Sequence, residues 1–107
     1  MSNRNDRMRD LLRNLAAEFL SRHSNRTSLI TVTDVNLTKD AHTAIILISV
    51  FPEDKAKGAL DFVKRKRKDF REFVKTNGRL KRLPRFDFDI DYGEQNRQHI
   101  DKLLSKQ

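Results

Sequence analysis

Residues 56–78 read AKGALDFVKRKRKDFREFVKTNG, and whether they form one helix or two decides the topology of the chain. Ala56, Ala59, Leu60 and Val63 recur at intervals of three and four, the spacing of one apolar helical face, and Phe70, Phe73 and Val74 repeat it. Position 67 lies on the continuation of that face but is arginine, within a run of five cations: Lys64, Arg65, Lys66, Arg67 and Lys68. Five consecutive helical residues point all around the axis, so a single rod would drive a cation into the core, where charged side chains are almost never buried unpaired. The pattern predicts two helices meeting within residues 64–69, with the cations turned outward at the joint and the second helix starting near Asp69. Thr76-Asn77-Gly78 stops the second helix, and Gly78 is expected to adopt the left-handed conformation past its last turn.

Upstream, Met8, Leu11, Leu12, Leu15, Ala16, Phe19 and Leu20 form the stripe of an amphipathic helix over 7–22, with Asp6 as its expected N-cap. The turn-forming stretch SNRTS (24–28) ends that pattern. LITVTDVNLT (29–38) is rich in β-branched residues, and its alternation places Leu29, Thr31, Thr33, Val35 and Leu37 on one strand face with Ile30 and Val32 opposite. A polar turn containing Asp40 leads to AIILISVF (44–51), an apolar run expected to be a strand covered on much of both faces. Downstream of Pro84, RFDFDID alternates so that Phe86, Phe88 and Ile90 face inward and Asp87, Asp89 and Asp91 outward. A short helix over 97–104 is expected to close the chain. The order is α-β-β-α-α-β followed by that short helix.

The chain has 107 residues, the size of one ordinary domain, so a single unit over 1–107 is expected, with 1–5 and 105–107 as flexible ends. Its 23 Lys and Arg against 15 Asp and Glu give a net charge of +8, which favours polyanionic partners. That charge is local: residues 55–85 hold 13 basic and 3 acidic side chains, net +10, and the other 76 residues are net −2. The absence of cysteine excludes disulfides, thiolate nucleophiles and Cys-ligated zinc. The polar start MSNRNDRMRD is unlike a secretory signal, and no apolar run approaches membrane-spanning length. A cytoplasmic protein with no membrane contact is expected.

The order of elements, with cations at the junction of two consecutive helices, is similar to the type II KH domain, a nucleic-acid-binding fold. RMRDLLRNLAAEFL (7–20), ITVTDVNLTKDAHTAIILISVF (30–51) and LKRLPRFDFDID (80–91), followed by HIDKLL, resemble the ribosome-binding factor A family of bacterial small-subunit assembly factors. Val32, Val35, Asp40 and Ala44 match its strand, hairpin turn and second strand. The family has an Ala-x-Gly kink where KH domains have a Gly-x-x-Gly loop; here the matching positions are Lys66, Arg67 and Lys68. Glycine allows close backbone approach to a nucleotide chain, so its replacement shifts weight to charge contacts. The resemblance implies a single α+β domain of KH type II character, with its helices on one face of a three-stranded mixed sheet. It further implies a monomer that binds precursor 16S rRNA in the small (30S) ribosomal subunit, aids 5′-end maturation and supports growth in the cold.

Within this sequence the candidate RNA contacts are Lys64, Arg65, Lys66, Arg67 and Lys68, with Arg71 and Lys75 on the following helix and Arg79, Lys81, Arg82 and Arg85 leading into the third strand. Such a cluster offers point charges and guanidinium forks to phosphates. Phe70 and Phe73 could stack on bases, but their spacing with Val74 is that of a buried stripe, which leaves Tyr92 as the more exposed aromatic. Asp87, Asp89 and Asp91 resemble the start of a calcium loop or a metal-dependent nuclease set. A calcium loop needs glycine at its sixth position, here Tyr92, and an acid at its twelfth, here Gln98. His23, His42 and His99 have no metal-ligand spacing, and no serine sits in a nucleophile elbow. No catalysis, cofactor or metal is therefore expected. The rivals are a general nucleic-acid-binding module and, more remotely, a small metal-dependent nuclease.

Overall fold

The computed structural model describes residues 4–23 and 27–93; the expected closing helix over 97–104 and His99 lie outside them. Helix α1 (Arg4–His23) is followed by strands β1 (Leu29–Leu37) and β2 (Thr43–Phe51), a single 3-10 turn, helices α2 (Ala56–Arg65) and α3 (Arg67–Asn77), and strand β3 (Arg85–Ile90). The sheet order is β1-β2-β3, with β1 antiparallel and β3 parallel to the central β2. This is the α+β order read from the sequence, helices on one face of a mixed sheet.

Each helix buries the stripe its sequence carries. Leu12, Leu15, Ala16, Phe19 and Leu20 of α1, Val63 of α2, and Phe70 and Val74 of α3 form one core cluster with Val35, Ala44, Ile46, Ile48, Phe86, Phe88 and Ile90 of the sheet, and Ala59 of α2 is buried as well. Phe70 is central, its ring centroid 5.3 Å from Phe19, 5.0 Å from Phe86 and 5.6 Å from Phe88. Burying an aromatic or aliphatic side chain of this size stabilises by about 1.5–3 kcal/mol. The stacking reading of Phe70 ends here, since no part of it reaches solvent. Phe73 is half-buried, 5.5 Å from Phe19, with the Arg22 guanidinium 5.8 Å above its ring.

Four local expectations are corrected. Helix α1 begins at Arg4, so Asp6 lies inside its first turn, where its carboxylate accepts from the Arg9 guanidinium. In β1 the alternation is reset by a bulge. Val32 pairs with Ile48 but Asp34 with Leu47, leaving Thr33 as the extra residue. Ile30 and Val32 therefore share the core face with Val35 and Leu37, while Leu29 is exposed. Among the described residues the helices cover β2 on one side only. Ile45 and Leu47 on the other side are half-buried rather than covered, as a central strand is shielded in part by its neighbours.

The fourth correction concerns Gly78, which has φ −89 and ψ −20; Arg79 takes the positive φ of 54 instead. Glycine is required at 78 by closeness, since a Cβ there would sit 2.8 Å from the Val74 carbonyl oxygen and 3.2 Å from Leu15 Cδ1. Gly78→Ala should thus force the last turn of α3 to shift against the Val74 carbonyl, with the Leu15 side chain of α1 giving way beside it. A loss of about 1–3 kcal/mol is expected in urea unfolding, the usual cost of overpacking; an unchanged midpoint would show that the contact gives way freely. In the β1–β2 hairpin, the Thr38 hydroxyl and the His42 N–H donate to Asp40 and hold its carboxyl below the usual carboxylate range.

Candidate nucleic-acid interface

Helices α2 and α3 meet at Lys66, whose φ of −96 and ψ of 6 break the helical run. Its N–H donates to the Val63 carbonyl at 2.9 Å, and its own carbonyl accepts from Phe70 N at 2.8 Å. The joint falls where the apolar stripe is interrupted, although α3 starts at Arg67, two residues before the expected Asp69. Lys64 and Arg65 occupy the last turn of α2, where cations complement the carbonyl end of the helix dipole. Arg65, Arg67 and Lys68 are exposed and Lys64 and Lys66 half-buried, so none of the five enters the core.

Arg67, Lys68, Arg71 and Arg85 surround one open cleft of about 500 Å³ between α3 and the start of β3, with Leu83 and Phe86 as its apolar lining. The Arg71 guanidinium is held there by a 2.9 Å bond to the Pro84 carbonyl. A shallower hollow on the other side of the joint is lined by Asp61, Lys64, Arg65 and Arg67. The arrangement offers guanidinium forks and ammonium groups to phosphates over an apolar floor. Lys75, Arg79, Lys81 and Arg82 are also exposed but line neither depression. The structure therefore brings seven of the eleven candidates around the joint, counting Lys66 at its centre, and leaves four on its flank.

The cations are not equally free. Asp87 Oδ1 lies 3.3 Å from Arg67 Nη1 and 3.7 Å from Lys64 Nζ, and Lys66 Nζ is 4.0 Å from Asp69 and 5.8 Å from the Phe62 ring centroid. Among the described residues Arg65, Lys68 and Arg85 make no ion pair. Sequence reasoning placed Asp87 on an outward strand face but missed its reach to the joint, which depends on β3 pairing beside β2 in parallel register. Asp89 and Asp91 do not join it in a ligand set: the Asp89 carboxylate accepts from Ile90 N, Asp91 accepts from the Thr33 hydroxyl at 2.5 Å, and among the described residues no three acidic, His or Cys groups are placed to hold a metal ion. No helix among them is long and apolar enough to cross a membrane.

Fold and surface together define a KH type II-like α+β domain whose two consecutive helices join at a cationic corner in place of a glycine loop. The chain belongs to the ribosome-binding factor A family, whose model matches residues 4–104. A ribosome-binding factor A of Clostridium botulinum (strain Hall) is 33% identical over 79 residues, covering 73% of this chain and 66% of that protein, so the chain spans slightly under two thirds of that relative's length. One from Thermobifida fusca is 32% identical over 106 residues, covering 96% of this chain and 70% of its own. The crystal structure of ribosome-binding factor A from Thermus thermophilus superposes with a TM-score of 0.69 at 26% identity, covering 78% of this chain and 92% of that one. A Thermus thermophilus homology model fitted into the cryo-EM map of a 30S complex of that factor gives 0.67 at 27%, over 76% and 88%.

Proposed function

We propose that this chain is a non-catalytic RNA-binding factor of the small ribosomal subunit, which engages precursor 16S rRNA through the α2–α3 corner and assists maturation of its 5′ end. The observation that carries the reading is the likeness to a protein fitted into a 30S complex, on a fold whose joint gathers Arg65, Arg67, Lys68, Arg71 and Arg85. Phosphate contacts position a protein without reading sequence, which suits a factor whose target is set by the shape of an assembling particle. The protein works as a monomer in the cytoplasm, and its action supports growth in the cold.

Tagged protein is expected to co-sediment with free small subunits or their precursors in a sucrose gradient at low salt, and to dissociate as salt rises. Protein found only at the top of the gradient at every salt concentration would overturn the ribosomal reading while leaving RNA binding open.

A further inference from the structure

Asp87 stands apart from the other described acids in facing two cations of the joint. Its Oδ1 accepts from the backbone N–H of Phe88 at 2.8 Å, and the same oxygen faces Lys64 and Arg67 across the gap from β3 to the joint. Arg67 is steadied in turn by a 3.1 Å bond from its Nε to the Lys64 carbonyl. The three side chains are 38–45% exposed, so a ligand can reach them. Asp89 follows on the same face of β3, Asp91 lies just past the strand's end, and Arg85 opens the strand.

We propose that Asp87 is a specificity-determining residue of the interface: a built-in carboxylate that stands where a phosphate would stand on Lys64 and Arg67. The inference rests on the RNA-binding reading above. A phosphate approaching these two cations exchanges one ion pair for another and meets the repulsion of the displaced carboxylate. At Arg65, Lys68 and Arg85 it meets no such competitor. Isolated phosphates and short polyanions are thereby held weakly, whereas an RNA strand that already contacts the unpaired cations can displace Asp87. The acids beyond it keep the strand off the outer sheet face and confine it to the cleft beside α3.

Asp87→Asn keeps the shape and the acceptor for Phe88 N but removes the charge. With a fluorescein-labelled single-stranded RNA oligonucleotide, the variant is expected to bind about three- to fivefold more tightly at low salt, a modest gain because exposed ion pairs are individually weak. Its plot of log affinity against log salt should steepen by up to about 1.4 units, two further contacts at about 0.7 each. Asp89→Asn, which removes one acid but breaks no pair with the joint, should change affinity by less than about twofold. Adding Asp87→Asn to Lys64→Gln/Arg67→Gln should yield no gain. A wild-type protein without salt-dependent RNA binding would remove the reading beneath this inference and the inference with it. Binding by the wild type but no gain in Asp87→Asn, an equal gain in Asp89→Asn, or a gain that survives without Lys64 and Arg67 would overturn the inference alone.

Discussion

Replacing Lys64, Arg65, Lys66, Arg67 and Lys68 together with glutamine is expected to flatten the salt dependence of RNA binding by about 2 to 3.5 units, the loss of three to five phosphate contacts at about 0.7 each. The fold should survive the change. Glutamine has nearly the helix propensity of lysine and arginine, and none of the five side chains is in the core. The pairs lost to Asp87 and Asp69 are partly exposed, and such pairs contribute roughly 0–1 kcal/mol each. Circular dichroism should therefore show native helix content, and fluorescence anisotropy across a salt series reads the slope. A folded variant with an unchanged slope would make the run an ordinary solvated corner and move the contact surface to Arg79, Lys81, Arg82 and Arg85 or to the outer face of α1.

The largest effect on stability is expected from Phe70→Ala. Phe70 is fully buried and its ring touches Phe19 from α1 and Phe86 and Phe88 from β3, so its removal opens a hole where three elements meet. Phe→Ala changes of this kind cost about 3–5 kcal/mol, a large share of the roughly 5–15 kcal/mol that holds a small domain together. Thermal unfolding should shift down by roughly 12 °C or more. Phe70→Leu, which refills most of the volume, should recover much of that loss. If Phe70→Ala instead weakened RNA binding at unchanged stability, the side chain would have to leave the core to meet a base.

The topology was legible because the chain states it locally. The stripes of α1, α2 and α3 are complete, and the single arginine at position 67 interrupts the apolar face where the backbone turns. The alternation of Phe86, Phe88 and Ile90 with aspartates gave β3 its two faces directly. Failures came where a tertiary partner decides. Thr31, Val32 and Thr33 are all β-branched, so the sequence holds no mark of which one is the extra residue; only the register against β2 selects Thr33. Gly78 looked like a left-handed cap because that is glycine's common use after a helix, whereas here a Cβ would run into the Val74 carbonyl oxygen of the same helix and crowd the Leu15 side chain of α1. At the candidate interface the cations were legible as a run, but their division into paired and unpaired sets was not. It follows from Asp87, 20 residues away from Arg67 in the chain.

The bulge in β1 bears on how copies of the molecule avoid one another. Among the described residues β1 is an outer member of the sheet and pairs with a strand on one side only, so its other side is the kind of edge on which a second chain could add a strand. Its inserted Thr33 breaks the even repeat of that edge and increases the local twist, so an identical strand laid alongside would lose register midway. The Thr33 hydroxyl, bonded to Asp91 across β2, fastens the kink in place. A domain with an edge strand of this length has to avoid joining its own kind, and the bulge at Thr33 makes β1 a poorer template for a second copy.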